Sequence, residues 1–167
     1  MTKYTIAVLV NNQFGVLNRV TSMFRRRQFN INALTVSETE DERISRITIV
    51  FEGDDLHKKQ MVDQLLKLPD VKNVREFTEE EAVTQELLLI KMKNERKTRN
   101  DILMCAEAFG AVTMDYTHDT MMFRICDISR RIDTFIELMR DYNILEICRT
   151  GSVAMERGCS VIAAKSK

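Results

Sequence analysis

Residues Asn12-Gln13-Phe14-Gly15-Val16-Leu17-Asn18 follow an alternating apolar run, Tyr4 to Val10, and precede an apolar-striped helix. A polar residue at the end of a strand, then a glycine, then a helix start makes a pocket for a small anion. The glycine lets the chain turn tightly, and the free amides of the first helical turn point at whatever sits there. A second asparagine, Asn30, follows the same helix and precedes the next strand. An amino acid needs acceptors for its ammonium and donors for its carboxylate, and an asparagine side chain supplies both. The chemistry available here is therefore reversible recognition of a small amino acid rather than bond-making.

The elements that must position these residues are regular. Tyr4–Val10 reads as a strand, and Val16, Leu17, Val20, Met23 and Phe24 fall on one stripe of a helix over Gly15–Arg27. Ile31–Ser37 and Ile44–Phe51 read as strands joined by the acidic turn Glu38–Glu42. Asp54 or Asp55 caps a helix carrying Met61, Val62, Leu65 and Leu66, with Pro69 beyond its end. Val71–Phe77 closes the set. The order β-α-β-β-α-β is the ferredoxin-like unit.

The second half repeats it. Glu86–Met92 is a strand and Thr98–Phe109 a helix. Ala111–Tyr116 and Met121–Cys126 form a hairpin, Ser129 caps a helix with Ile132, Phe135, Ile136 and Met139, and Ile144–Arg149 is the last strand. The fold class is α+β, two tandem ferredoxin-like domains at 1–77 and 86–167. Residues 78–85 serve as linker, with Glu79-Glu80-Glu81-Ala82 as an alternative helical stretch. One face of the first sheet and its edge strands need cover, which predicts a homodimer built through the first domain.

Composition excludes several classes. The chain has 167 residues, 44% of them apolar, and 30% charged with a formal net charge of zero. That balance gives no electrostatic footprint for nucleic acid. No apolar run approaches membrane-spanning length, and the four cysteines, Cys105, Cys126, Cys148 and Cys159, show no CxxC spacing. The expectation is a cytoplasmic chain with no nucleic-acid or membrane partner. The two histidines, His57 and His118, have no sequence-near partner for a metal site or a nucleophile–base pair. No GxGxxG, GxxxxGK[ST], HExxH or GxSxG occurs. Catalytic residues and metal ligands are expected to be absent. The triplet Arg25-Arg26-Arg27 ends the first helix, where cations suit the macrodipole.

Ala7–Val20 (AVLVNNQFGVLNRV), followed by Phe29-Asn30-Ile31-Asn32-Ala33-Leu34-Thr35-Val36, resembles the ACT domain of the acetolactate synthase (acetohydroxyacid synthase) small, regulatory subunit. Ser45–Val50 resembles that family's third strand and Gln85–Lys91 the start of its second domain. Glu146–Gly158 (EICRTGSVAMERG) resembles its C-terminal signature. The resemblance covers nearly the whole chain, in order. It implies a subunit with no active site of its own, which stimulates a catalytic subunit carrying thiamine diphosphate, Mg and usually FAD. That enzyme, a transferase of branched-chain amino acid biosynthesis, condenses two pyruvates, or pyruvate with 2-oxobutyrate, with loss of CO2. The small subunit confers feedback inhibition by valine or another branched-chain amino acid, bound between the ACT domains of two chains. By the same resemblance Asn12 and Asn30 are polar effector contacts. Gly15, Val16 and Leu17 form the turn whose backbone approaches the ligand, and Asn18 and Ile31 flank it. Four positions depart from the family pattern. Phe14 stands where many relatives have proline or serine, Asn18 where many have serine, and Gln28-Phe29 where glycine-tyrosine is usual before Asn30. The rival expectation is a free-standing amino-acid-binding ACT module that regulates another protein.

Overall fold

The computed structural model describes residues 2–78 and 80–163. The chain forms two units, and each repeats one pattern.

In the first unit, β1 (Thr2–Asn11), α1 (Val16–Arg26), β2 (Ile31–Glu38), β3 (Ile44–Gly53), α2 (Asp55–Leu66) and β4 (Val71–Phe77) follow in order. The strands make an antiparallel sheet in the order β2-β3-β1-β4, with β2 and β4 at its edges. Strand side chains alternate between faces. Ile6, Val8 and Val10 of β1 join Ile47, Ile49 and Phe51 of β3 against Val16, Val20 and Phe24 of α1 and Met61 and Leu65 of α2. Asp54 caps α2 as expected, accepting a 2.8 Å hydrogen bond from the His57 N–H.

The opposite face of that sheet is also closed. Ala7 is fully buried and Leu9 is 5% exposed, although both point away from the helices. Their cover comes from the C-terminal segment, which contains β9 (Val153–Glu156), a strand that pairs with β5 (Ala82–Lys93). Arg46 donates to the Ala154 carbonyl at 2.5 Å, and Arg75 pairs with the buried Glu156 carboxylate, Nε to Oε1 2.9 Å. Asn73 donates to the Ala163 carbonyl at 2.8 Å. Arg46 and Asn73 both register with Leu9, and Arg75 with Ala7, so all three donors rise from the face the segment covers. The open face read from the sequence is thus covered by the same chain, while β2 keeps an edge with no strand paired to it among the described residues.

The second unit runs β5, α3 (Arg99–Ala108), β6 (Val112–Tyr116), β7 (Thr120–Asp127), α4 (Ser129–Met139) and β8 (Ile144–Arg149), with sheet order β6-β7-β5-β8. Leu88, Ile90, Met92, Met121, Phe123 and Ile125 pack under Ile102, Ala106, Ile132, Phe135 and Met139.

Three sequence readings differ from this. The units are residues up to Val83 with those from Ser152 onward, and Thr84–Gly151, so the division at 86–167 separates the C-terminal segment from the sheet it covers. β5 begins at Ala82, inside the expected linker 78–85; Glu79, part of the alternative helical stretch, lies outside the described residues, as do Met1 and 164–167. Ser129 does not cap α4: the cap position is Ile128, and the Ser129 hydroxyl donates instead to Glu86 at 2.7 Å.

Candidate functional site

The turn between β1 and α1 is set by Gly15. Its φ of 82° and ψ of −6°, with the Val16 N–H donating to the Gln13 carbonyl at 3.3 Å, make Gln13–Val16 a type II turn with Gly15 third and Phe14 second. The third position of this turn requires positive φ, which is why glycine stands there. The second position favours proline, and Phe14 takes it here. The Phe14 side chain is fully exposed.

Asn12 is held on the other side of the turn. Its backbone N–H donates to the Arg43 carbonyl at 2.7 Å. Its side-chain amide gives one hydrogen to Glu38 Oε1 at 3.0 Å and one to the Glu42 carbonyl at 2.9 Å. Both donors are engaged, and the remaining function of that side chain is its oxygen, an acceptor. The helix start beside it offers donors. Gly15 provides no side-chain cap, and the first turn of α1 contains no acidic residue. Donors and acceptor of this kind match a carboxylate and an ammonium on one small molecule.

Two residues at this turn escape a sequence reading. Arg19 donates Nε to Asp70 at 2.7 Å, and its Nη1 lies 3.6 Å from where a Gly15 side chain would begin. Asp70 is itself tied to the end of β1, since the Asn11 N–H donates to its carbonyl at 2.9 Å. The Arg19–Asp70 pair spans 51 residues, and only a charge one helical turn past the glycine hints at it.

Of the residues read from the sequence, the structure groups Asn12, Gly15, Val16, Leu17 and Asn18. Val16 is buried in the first core, Leu17 is 42% exposed, and Asn18 is exposed. Asn30 and Ile31 lie at the far end of α1, whose 11 residues span about 16 Å. Asn30 is exposed, and Ile31 packs at the rim of the core opposite Phe51. Asn30 is not the left-handed residue that ends the helix; that is Gln28, φ 59°.

The remaining polar clusters are structural. Glu86, 4% exposed, accepts from Arg149 (2.6 and 3.0 Å) and Ser129, and Arg149 also reaches Asp133 at 2.7 Å. Burial works to raise the Glu86 carboxyl, and these donors outweigh it and hold the group below its ordinary value. His57 sits beside Asp54 and edge-on to Phe29, and His118 is exposed next to Asp119. All four cysteines are free. Among the described residues no group of three or more His, Cys, Asp or Glu is placed to hold a metal ion, and no helix is long and apolar enough to cross a membrane.

Residues 6–73 match the family model described as an AHAS small subunit-like ACT domain, and residues 85–158 match that of the small subunit of acetolactate synthase. The chain is 45% identical over 156 residues to a probable acetolactate synthase small subunit of Archaeoglobus fulgidus, covering 93% of this chain and 98% of that one. It is 38% identical over 167 residues to the acetolactate synthase small subunit of Bacillus subtilis, covering 99% and 96%. Its structure superposes on the crystal structure of the acetolactate synthase small subunit from Thermotoga maritima with a TM-score of 0.88 at 31% identity, covering 96% of this chain and all of the other.

Proposed function

The chain belongs to the acetolactate synthase small-subunit family, and from that premise we propose that it is the feedback sensor of a catalytic large subunit, binding valine at the Gly15 turn. The observation that carries the reading is the Asn12 side chain, clamped by Glu38 and Glu42 so that its oxygen is left beside the uncapped start of α1. The valine carboxylate takes the amides of Gly15 and Leu17, on either side of the Val16 N–H that closes the turn, and its ammonium takes the Asn12 oxygen. The catalytic step, with thiamine diphosphate and a divalent metal, belongs to the large subunit.

The second half of the site comes from a second copy. β2 is an edge strand that begins directly after Asn30 and ends at Glu38, the residue holding Asn12. Antiparallel pairing of β2 with its own copy sets residue 31 of one chain opposite residue 38 of the other. Asn30 of one chain then stands at the Asn12 end of its partner. A homodimer formed this way has two equivalent sites at its seam. Valine inhibits because it prefers one quaternary arrangement, and the size of the inhibition is that difference in affinity.

The deciding experiment is acetolactate formation by the purified large subunit, with and without this chain, across a valine titration. The reading requires stimulation by the chain and loss of that stimulation as valine rises. Stimulation that valine leaves untouched would overturn the effector assignment, and no effect on turnover together with no association would overturn the partner.

A further inference from the structure

The first strand of the second unit ends much as that of the first, on an asparagine with corresponding contacts, although none of residues 95–98 takes the positive φ of Gly15. Asn94 directly follows β5 as Asn12 directly follows β1. Its backbone N–H donates to the Asp119 carbonyl at 2.8 Å, where that of Asn12 donates to Arg43 at 2.7 Å. Its side-chain amide donates to the Thr117 carbonyl at 2.6 Å, where that of Asn12 donates to Glu42 at 2.9 Å. The residue before each asparagine donates to the chain entering the last strand, Lys93 to Asn143 and Asn11 to Asp70, both at 2.9 Å. The residue after each folds back, Glu95 to Lys93 and Gln13 to Asn11.

Asn12 gives a second amide hydrogen to Glu38, and the two asparagines differ again at the oxygen. Asn94 Oδ1 accepts from Arg99 Nε at 2.6 Å, and Asn94 is 7% exposed. Asn12 is exposed, and among the described residues its oxygen accepts no hydrogen bond. A guanidinium donating to a buried amide oxygen is a charge-assisted contact in a fixed direction. We infer that Arg99 fills, in the second unit, the place an effector's ammonium takes in the first, so that the second unit is a self-occupied copy of the site and each chain binds one effector. The correspondence to an effector rests on the reading of Asn12 above; the cation requirement at Asn94 is a property of the second unit alone.

The test uses the full chain carrying Arg99→Ala. With its cation removed, the buried Asn94 oxygen loses its partner, and the melting temperature falls. Methylguanidinium in the millimolar range raises it again, saturably, while leaving the wild-type protein unmoved, and an equal concentration of tetramethylammonium does nothing to either. If the alanine variant does not fold, Arg99→Ser, too short to replace the guanidinium and suited to a helix start, takes its place with the same expectation. A folded variant with no saturable response to methylguanidinium would overturn the inference. Calorimetry of wild type with valine should give one site per chain; two per chain would overturn it as well. Absence of valine binding in the wild type with the rescue intact would sink the effector reading and leave the internal cation standing.

Discussion

Gly15 holds a backbone conformation that any side chain resists by roughly 1–2 kcal/mol, yet the space around it is open: an added Cβ meets only the Arg19 Nη1 at 3.6 Å, an ordinary contact. Gly15→Ala and Gly15→Asp should therefore both fold, with a similar loss of stability. They should differ in function. Aspartate puts a carboxylate between the uncapped amides of α1 and the Arg19 guanidinium, where the effector's own carboxylate belongs, and should abolish valine inhibition. Alanine should weaken it only. Thermal unfolding of both variants beside valine titrations of the assembled enzyme separates the two effects, and equal loss of inhibition in both would mean that backbone shape, not charge, governs the site. The turn carrying Asn12 and Gly15 was legible because strand, polar residue, glycine and helix lie in one short stretch. Arg19 was not, because its orientation is fixed by Asp70, 51 residues further along the chain.

The helix ends show the same physics at the scale of an element. After α1 the Phe29 N–H donates to the Phe24 carbonyl and the Gln28 N–H to the Arg25 carbonyl, both at 3.1 Å. After α3 the Ala111 N–H donates to Ala106 at 2.8 Å and Gly110 to Glu107 at 2.9 Å. Both are Schellman closures with a left-handed residue just past the helix. The second unit uses Gly110, φ 67°, and the first uses Gln28, φ 59°. Gln28→Gly should then stabilise the first unit by about 1 kcal/mol, and Gly110→Ala should destabilise the second by a similar amount. Opposite shifts in denaturant midpoint at unchanged slope would verify both. Phe24 and Phe29, brought together by the closure, each pack edge-on to Phe51, so the closure also sets where Asn30 emerges. Strand and helix order was readable from apolar spacing as far as Arg149, but β9 beyond it was missed. The Ser129 cap was not: the hydroxyl has a buried carboxylate to satisfy, and Glu86 sits 43 residues away.

The path of the whole chain was the least legible, for a reason visible in the first sheet. Arg46, Asn73 and Arg75 alternate with core residues along β3 and β4, and polar alternation reads as a solvated face. Here those side chains are instead the donors that seat residues 153–163. The segment leaves the second unit at Gly151 and finishes the first, so the first sheet is complete only once residues 153–163 are in place. Glu156 carries that closure, its side chain 8% exposed against Arg75. Glu156→Ala removes a charged acceptor from a buried position and should cost the first unit roughly 1–3 kcal/mol. The loss should be local. Hydrogen exchange should quicken in β1, β3 and β4, whose buried face the segment covers, and remain at wild-type rates in β7, which belongs to the other unit. Faster exchange in β7 with β3 and β4 unchanged would assign the segment to the second sheet instead. If the first sheet does loosen, valine binding at the Gly15 turn should weaken with it, because Asn11 and Asp70, which anchor Arg19 beside that turn, lie at the end of the same two strands.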